Sequence, residues 1–442
     1  MKNKIFAALS LIALFSCSDD ELTTMTQTVG YNVQVNYDES YDNLLASNVK
    51  VTLQSTNTSE TYQLMTDASG KATFGNIIPG TYDLNATITL SSEEFNTTFG
   101  YYPDTQEVIF NASIGQTVIN ADNTSVNLVL KTARMGDLVI KQIYYSGSHT
   151  TQGASFRDQF IEIHNNSNEV IYADGLYFAQ AFGILNNTTT EYVQPSGQWD
   201  WSQSYGMTLG NAANTDYLYA DYIYQIPGNG TDYPIQPGGS IVLAQSALNH
   251  KAPLVDNTGN PLSVLNPDLT IDLSGADFEV NYINLRASIG LEPFKSDIEN
   301  PAVPNLLISY VGKEGAYHAT TDMLLDNLGR DSYVIFRAEN LQFNQYPTPN
   351  FTTVDGSTKY YMQIPANIVI DGVETQHVSN NIPRRLPETL DISSIKVFTA
   401  YNTEAVIRKT KAVVDGRVIL QDTNNSAQDF VVQRANPRGF AE

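Results

Sequence analysis

The stretch GDLVIKQIYYSGSHTTQGASFRDQFIEIHNNSNEVIYADGLYF, residues 136–178, decides how the chain is read. From Asp137 to Tyr145, Leu138, Ile140, Gln142 and Tyr144 alternate with Val139, Lys141, Ile143 and Tyr145. Gln159 to His164 sets Phe160, Ile161 and Ile163 around Glu162. Asn165-Asn166-Ser167-Asn168 makes a turn before Val170, Ile171 and Tyr172. Alternating runs bounded by Asn, Ser and Gly read as strand, turn, strand. The expectation is an all-β protein organised around a β-sandwich core.

Working outward, further pieces keep one order along the chain. They are Ile235-Gln236-Pro237-Gly238-Gly239-Ser240-Ile241-Val242-Leu243-Ala244, then Gly329-Arg330-Asp331-Ser332-Tyr333-Val334-Ile335-Phe336. Ala405-Val406-Ile407-Arg408-Lys409 and the segment from Gln421 to Phe430 follow. Together with Phe160-Ile161-Glu162-Ile163-His164-Asn165, this series resembles the lamin-tail domains, an immunoglobulin-like β-sandwich family. The resemblance is scattered over residues 136–437, with long insertions. Its spacing also resembles an uncharacterised family of large lipoproteins from Bacteroidota.

Before this region, Tyr31, Val33, Val35 and Tyr37 share one side of a strand, and Asn48 to Leu53 reads as a second. Asp67 to Gly70 reads as a hairpin turn, and Pro79-Gly80 as a turn ahead of the Tyr82 strand. The pattern Thr66-Asp67-x-x-Gly70-x-Ala72-x-Phe74, then Pro79-Gly80-x-Tyr82, resembles carboxypeptidase-regulatory-like and transthyretin-like sandwiches. The resemblance covers residues 29–132 and implies a spacer or binding accessory. The full reading is two sandwiches in tandem, at 29–132 and 136–437.

The 442 residues suffice for two or three domains. A formal charge of −23 opposes nucleic-acid binding, which rests on Lys and Arg neutralising phosphates. Cys17 is the sole cysteine, so no internal disulfide forms. Lys2 and Lys4 precede an apolar run, Ile5 to Phe15, of signal-peptide length. Leu14-Phe15-Ser16-Cys17 resembles a lipobox, which implies cleavage after residue 16 and acyl chains on Cys17. Each buried methylene contributes about 0.8 kcal/mol, so several chains hold a stable anchor. Ser18, Asp19, Asp20 and Glu21 resemble the acidic export tag of Bacteroidota surface lipoproteins. The alternative reading is a flexible acidic tether. Residues 17–28 are read as the tether, and the expected location is the outer membrane, facing the exterior.

Residues 177–233 form an aromatic insertion holding both tryptophans, Trp199 and Trp201, among twelve aromatics. No Lys or Arg occurs from Asp158 to His250. Two readings stand open: the insertion's own core, or an exposed binding platform of rigid aromatics. On the second, the contact candidates are Trp199, Trp201, Tyr205, Tyr217, Tyr219 and Tyr222, with Asp200 and Asp221 as polar partners.

Chemical motifs are sparse. The five histidines do not pair at metal-ligand spacing, and no nucleophile-elbow, P-loop or dinucleotide fingerprint occurs. Asp422, Asn424, Ser426 and Asp429 space oxygen donors in a way loosely similar to a calcium loop, without its glycine or final Glu. The plainer reading is an Asx-type turn. No cofactor is expected. Two functions remain open: a surface lipoprotein that binds an extracellular ligand or docks on an outer-membrane partner such as a TonB-dependent transporter, or a structural or adhesive surface protein. A hydrolase is a distant third.

Overall fold

The computed structural model describes residues 27–442 apart from 39–40, 56–57, 59, 101, 104–106, 134–136, 184–190, 313–322, 350–352 and 415. Cys17 and Ser18 to Glu21 lie outside the described residues. The fold is all-β.

Seven strands come first: β1 Val29–Tyr37, β2 Lys50–Ser55, β3 Thr61–Met65, β4 Lys71–Ile77, β5 Gly80–Ser91, β6 Glu107–Ile119 and β7 Ser125–Ala133. Their order in the sheet is β3-β2-β5-β6-β7-β1-β4. β7 is the hinge of this sheet. Ser125 to Leu130 run parallel to β1, and Lys131 to Ala133 run antiparallel to β6. The alternation in β1 buries Tyr31, Val33, Val35 and Tyr37 in one cluster with Val51, Leu53, Leu84 and Phe110. The sheet therefore closes over its own apolar face. Gly70 sits at φ +70°, and a Cβ there would stand 2.5 Å from the Val35 carbonyl oxygen. Only glycine fits this turn. A helix, α1 Ser92–Phe99, interrupts the run of strands. Its signal was Ser91 and Glu94, which form a reciprocal capping box at its start.

The remaining strands are β8 Leu138–Tyr144, β9 Phe160–Asn165, β10 Ile171–Tyr172, β11 Tyr177–Ala181, β12 Tyr217–Gln225, β13 Pro234–Ile235, β14 Ser240–Ala244, β15 Phe278–Glu279 and β16 Leu307–Val311. Then follow β17 Ser332–Phe336, β18 Gln345–Tyr346, β19 Tyr361–Pro365, β20 Val369–Val373, β21 Glu404–Arg408, β22 Thr410–Val414, β23 Arg417–Leu420 and β24 Phe430–Arg434. One sheet runs β15-β14-β9-β8-β21-β24. A second runs β18-β19-β12-β11-β17-β20, with β16 also on β12. Ile140, Ile143, Ile161 and Leu243 of the first meet Phe178, Tyr224, Tyr333 and Ile335 of the second in one buried cluster. The sheets thus pack face to face.

Both outer faces are covered as well. Ile271, Leu273 and Ala435 cover Tyr144, Phe160 and Val242 of the first sheet. Leu386, Leu341 and Phe343 pack on Tyr177, Leu218 and Phe336 of the second. This corrects the simple alternation expected for residues 137–145. Every residue of β8 is buried, and the pairing with β9 slips between Ile140 and Gln142. Ile140 and Ile143 consequently face the same core, three residues apart. A bulge, not a period of two, sets the facing.

Buried ion pairs tie the layers. The Arg408 guanidinium donates to Asp371 Oδ2 at 2.6 Å, to Asp422 Oδ1 at 3.1 Å and to the Ile140 carbonyl at 2.8 Å. Asp371 Oδ2 also accepts the Ile140 N–H at 2.6 Å. Lys141 Nζ donates to Glu162 Oε1 at 2.8 Å, and Glu162 Oε2 accepts the Arg438 N–H at 2.9 Å. Arg385 pairs with Glu374 at 2.7 Å. A Cβ at Gly183 would stand 2.4 Å from Arg385 Cδ, so this pair needs glycine beside it.

Arg408→Leu should destabilise the fold by about 3–5 kcal/mol in denaturant unfolding, because it strands buried carboxylates. Adding Asp371→Leu should cost less than the sum of the two single changes. A pH effect follows from Asp158, whose carboxyl burial pushes up to about 6 against hydrogen bonds from Thr270, Ser148 and the Ile271 N–H. Its folded pKa exceeds the unfolded value of about 3.9. The folded state therefore binds the proton more tightly, and stability from this group is lost as pH rises through 6. Buried His164 and His250, both lowered to about 4 by burial, act in the opposite sense. The clean measurement is Asp158→Asn against wild type: the variant should gain relative stability between pH 4 and 7, by roughly 2–3 kcal/mol.

Candidate functional site

The aromatic insertion is a plug. Trp199 and Trp201 are 2% and 1% exposed, and Tyr219 is 1% exposed. The Trp201 ring stacks on Tyr219 at 3.8 Å between centroids, and Phe182 stacks on Tyr361 at 4.3 Å. Trp199 meets Trp201 edge-on at 5.3 Å. This cluster extends the apolar packing along β12 and β19. Trp199, Trp201 and Tyr219 are therefore core residues, and the exposed-platform reading is corrected for them. A strand with aromatics on both faces needs cover on both, and the short helical turn at Trp201–Gln203 supplies it.

The other candidates divide. Asp200 caps that turn, accepting from the Ser202 N–H at 3.2 Å and from Asn214 Nδ2 at 2.8 Å. Burial opposes its ionisation, yet hydrogen bonds from Ser202, Gln203 and Asn214 outweigh it and hold the pKa below the usual value. Its role is local structure, not partner contact. Tyr217 and Tyr222 are half-buried against the cores. Tyr205 is 49% exposed, with Leu209 nearby at 40%.

The calcium-loop reading is also corrected. Asp429 accepts from the Thr423 N–H at 2.8 Å and from Thr423 Oγ1 at 2.8 Å. Asp422 is bound by Arg408, whose NH1 also lies 3.7 Å from Asp429. Ser426 turns away to donate to Asp391. The guanidinium stands where a cation would be required. Asn424 has φ 52°, and Asn425 caps the turn Ser426–Asp429.

Asp221 has a position that sequence reasoning missed. Gln180 lies opposite Tyr222, and Ala181 lies opposite Ala220, so Asp221 is an extra residue on β12. The bulge is visible in the packing. Leu218, Ala220 and Ile223 face the outer cluster, whereas Tyr222 and Tyr224 face the inner one. A bulge of this kind re-aims a side chain. Burial pushes the Asp221 carboxyl up to about 7. Across β11, Gln180 also lies opposite Tyr333, two residues from Asp331. Asp331 rises well above the usual carboxylate range, first through burial and then through the charges of Asp221 and Asp326. Gln180 is fully buried, and neither of its amide atoms has a hydrogen-bond partner. Tyr333 Oη and Asp221 Oδ1 are likewise buried without partners. Asp326 is engaged by Arg330 at 2.5 Å.

A separate surface cleft of about 560 Å³ lies beside the C-terminal segment, between Lys251, Asp272, Arg434 and Phe440. Its charges are of both signs and exposed to solvent. Among the described residues, no three His, Cys, Asp or Glu side chains are grouped to hold a metal, and no helix is long and apolar enough to cross a membrane.

Residues 236–437 match the family model described as protein of unknown function (DUF4876). The match spans the strands from β14 to β24. A crystal structure of a DUF4876 family protein from Bacteroides thetaiotaomicron VPI-5482 is similar over 91% of this chain and 94% of that one. Its TM-score is 0.50 and its identity 24%. The fold is shared at that level. A second structure, of a protein from Bacteroides ovatus ATCC 8483 described as a candidate adhesin, covers 88% of this chain and 98% of that one. Its TM-score is 0.20 and its identity 8%, so it carries no argument. No curated protein matches the chain. Nothing in these likenesses indicates catalysis.

The plug gives a direct test. Trp201→Ala should cost about 3–5 kcal/mol in urea unfolding, as expected for removal of a buried, stacked indole. Tyr205→Ala should leave the midpoint within experimental error, as a surface change away from packing does.

Proposed function

We propose that this chain is an outer-membrane lipoprotein of the DUF4876 family. In this reading it faces the cell exterior and acts without catalysis, by binding a ligand or docking on an outer-membrane partner such as a TonB-dependent transporter. The observation that carries the reading is the sole cysteine, Cys17, placed at the end of an apolar run and followed by Ser18-Asp19-Asp20-Glu21. Residues 1–16 are then a signal peptide and 17–28 a lipidated tether. Residues 29–132 are a spacer sandwich, and residues 136–437 a lamin-tail-like sandwich that carries the contact surface. The match over residues 236–437 and the fold shared with a Bacteroides protein support this assignment. So does an interior whose ionic side chains Arg408, Lys141 and Arg385 are spent on holding layers together.

With both indoles buried, contact falls to the exposed rim of the insertion, Tyr205 and Leu209. Burial of Trp199 and Trp201 also favours a second reading, in which the insertion is purely structural and the protein a rigid surface spacer.

Fractionation tests the anchor. Cys17→Ala should leave the membrane fraction or accumulate uncut; normal processing with normal membrane retention rejects the lipoprotein. Protease added to intact cells tests the orientation. The wild type should be digested, and replacing Asp19, Asp20 and Glu21 by Ala should protect it. Equal digestion of both rejects the export tag.

A further inference from the structure

The bulge at Asp221 and the orphaned amide of Gln180 meet on one patch of the inner sheet face. β11 lies between β12 and β17, and Gln180 is opposite Tyr222 on one side and Tyr333 on the other. Neighbouring strands lie about 4.8 Å apart, and residues i and i+2 on one strand are about 6.8 Å apart. Asp221 on β12 and Asp331, beside the start of β17, therefore flank Gln180 within side-chain reach. Gly312 N–H donates to the Asp221 carbonyl at 2.7 Å and closes one rim. The plug residue Tyr361 lies close enough for both carboxylates to raise its hydroxyl pKa after burial does.

Leaving a buried polar group without a partner costs about 1–3 kcal/mol, so native interiors rarely tolerate several together. Here Gln180 Oε1 and Nε2, Asp221 Oδ1 and Tyr333 Oη are all buried and unpartnered in one neighbourhood. Asp221 and Asp331 lie beside this patch, close enough for the charge of one to act on the other, while the nearby cations have partners of their own or stand at the surface. Arg330 is engaged by Asp326, Arg385 by Glu374, and Lys359 is exposed at the surface. Among the described residues, Lys359 acts on Asp221, and Arg385 and Arg330 act on Asp331, but none of them offsets the burial of these carboxyls, so acceptor oxygens are in excess.

We propose that Asp221, Asp331 and Gln180 bind a hard divalent cation of the calcium type. The donors are all oxygens, with no imidazole or thiolate, which suits calcium rather than zinc. Calcium takes six to eight oxygen ligands in flexible geometry. The carboxylates supply charge, Gln180 Oε1 a neutral donor, and water the remainder. Three grouped carboxylates are not required, because Asp326 is already spent on Arg330. The ion relieves repulsion between Asp221 and Asp331 and fixes the bulged strand against β17. This site is distinct from the loop at Asp422 to Asp429, whose carboxylates Arg408 already neutralises.

Terbium, which takes calcium sites and is sensitised by nearby tyrosines, is the probe. Chelator-treated wild-type protein should give tyrosine-sensitised emission that calcium chloride displaces. Asp221→Asn and Gln180→Leu should each lower that emission at least tenfold while keeping the near-ultraviolet circular dichroism of the fold. Calcium should raise the wild-type melting temperature at pH 8 and leave that of Asp221→Asn unchanged. A magnesium arm distinguishes the ion. Emission and melting temperature unaffected by either variant, or no response of the wild type to any of the three ions, overturns the proposal and leaves buried water as the occupant. If Asp221→Asn fails to fold, Gln180→Leu alone decides by the same two readouts.

Discussion

The buried contact between Arg408 and Asp371 is what the two facing sheets depend on. Arg408 ends β21 in one sheet, and Asp371 lies on β20 in the other. Between them they take the N–H and the carbonyl of Ile140, at the point where β8 slips its register. A strand bulge leaves backbone groups without ladder partners, and buried backbone groups must be satisfied. The ion pair does this, while Asp422 and Asp429 balance its charge and Phe430 lies under the guanidinium at 4.6 Å. Desolvation makes such a pair weak as a source of net stability. Its effect is to specify geometry: one register of β8 and one docking of the sheets satisfies every partner.

The same logic recurs on the outer faces. Glu162, inside the segment that first suggested strands, holds Lys141 and the backbone of Arg438. Gln142 exchanges two hydrogen bonds with the backbone of Asn436, and the Lys141 ammonium lies over Phe440 at 3.8 Å. An apolar sheet face alone would accept any apolar cover. These polar contacts select one cover, the C-terminal segment. The patch around Gln180 is different: there unpartnered polar atoms from three adjacent strands, on Gln180, Asp221 and Tyr333, lie in one neighbourhood.

The fold class was legible because period-two alternation survives where a strand has one wet face, as in β1. Turns at Asp67 to Gly70 and at Pro79-Gly80 were legible because glycine and proline restrict the backbone there. The bulges at Lys141 and Asp221 were not. Each inserts a residue without changing composition, and alternation then assigns the following side chains to the wrong face. Burial of Trp199 and Trp201 was undecidable in the sequence, since aromatics serve cores and contact surfaces alike. The cover comes from β19, more than 150 residues further along. For the acidic loop after Gln421 the sequence leaves a calcium loop as the lesser reading beside an Asx-type turn, because the partner of its carboxylates, Arg408, lies behind a hairpin. Gln180 gave no signal at all: a single polar residue in a buried strand is unusual only once its neighbours are known.

The wiring of the last sheet also sets a clock. Ile140 and Arg408 are 268 residues apart, and Glu162 and Arg438 are 276 apart. A ribosome adds about 5–20 residues per second, so tens of seconds separate synthesis of these partners. Until the final segment is made, β8 lacks its neighbour β21 and Glu162 lacks its backbone donor. These contacts between the facing sheets therefore form only after the last strands are made. The residues of the first sheet share a core drawn only from positions 29–130 and carry no such delay. One chain therefore joins a core whose partners are all close in sequence to one whose partners lie hundreds of residues apart.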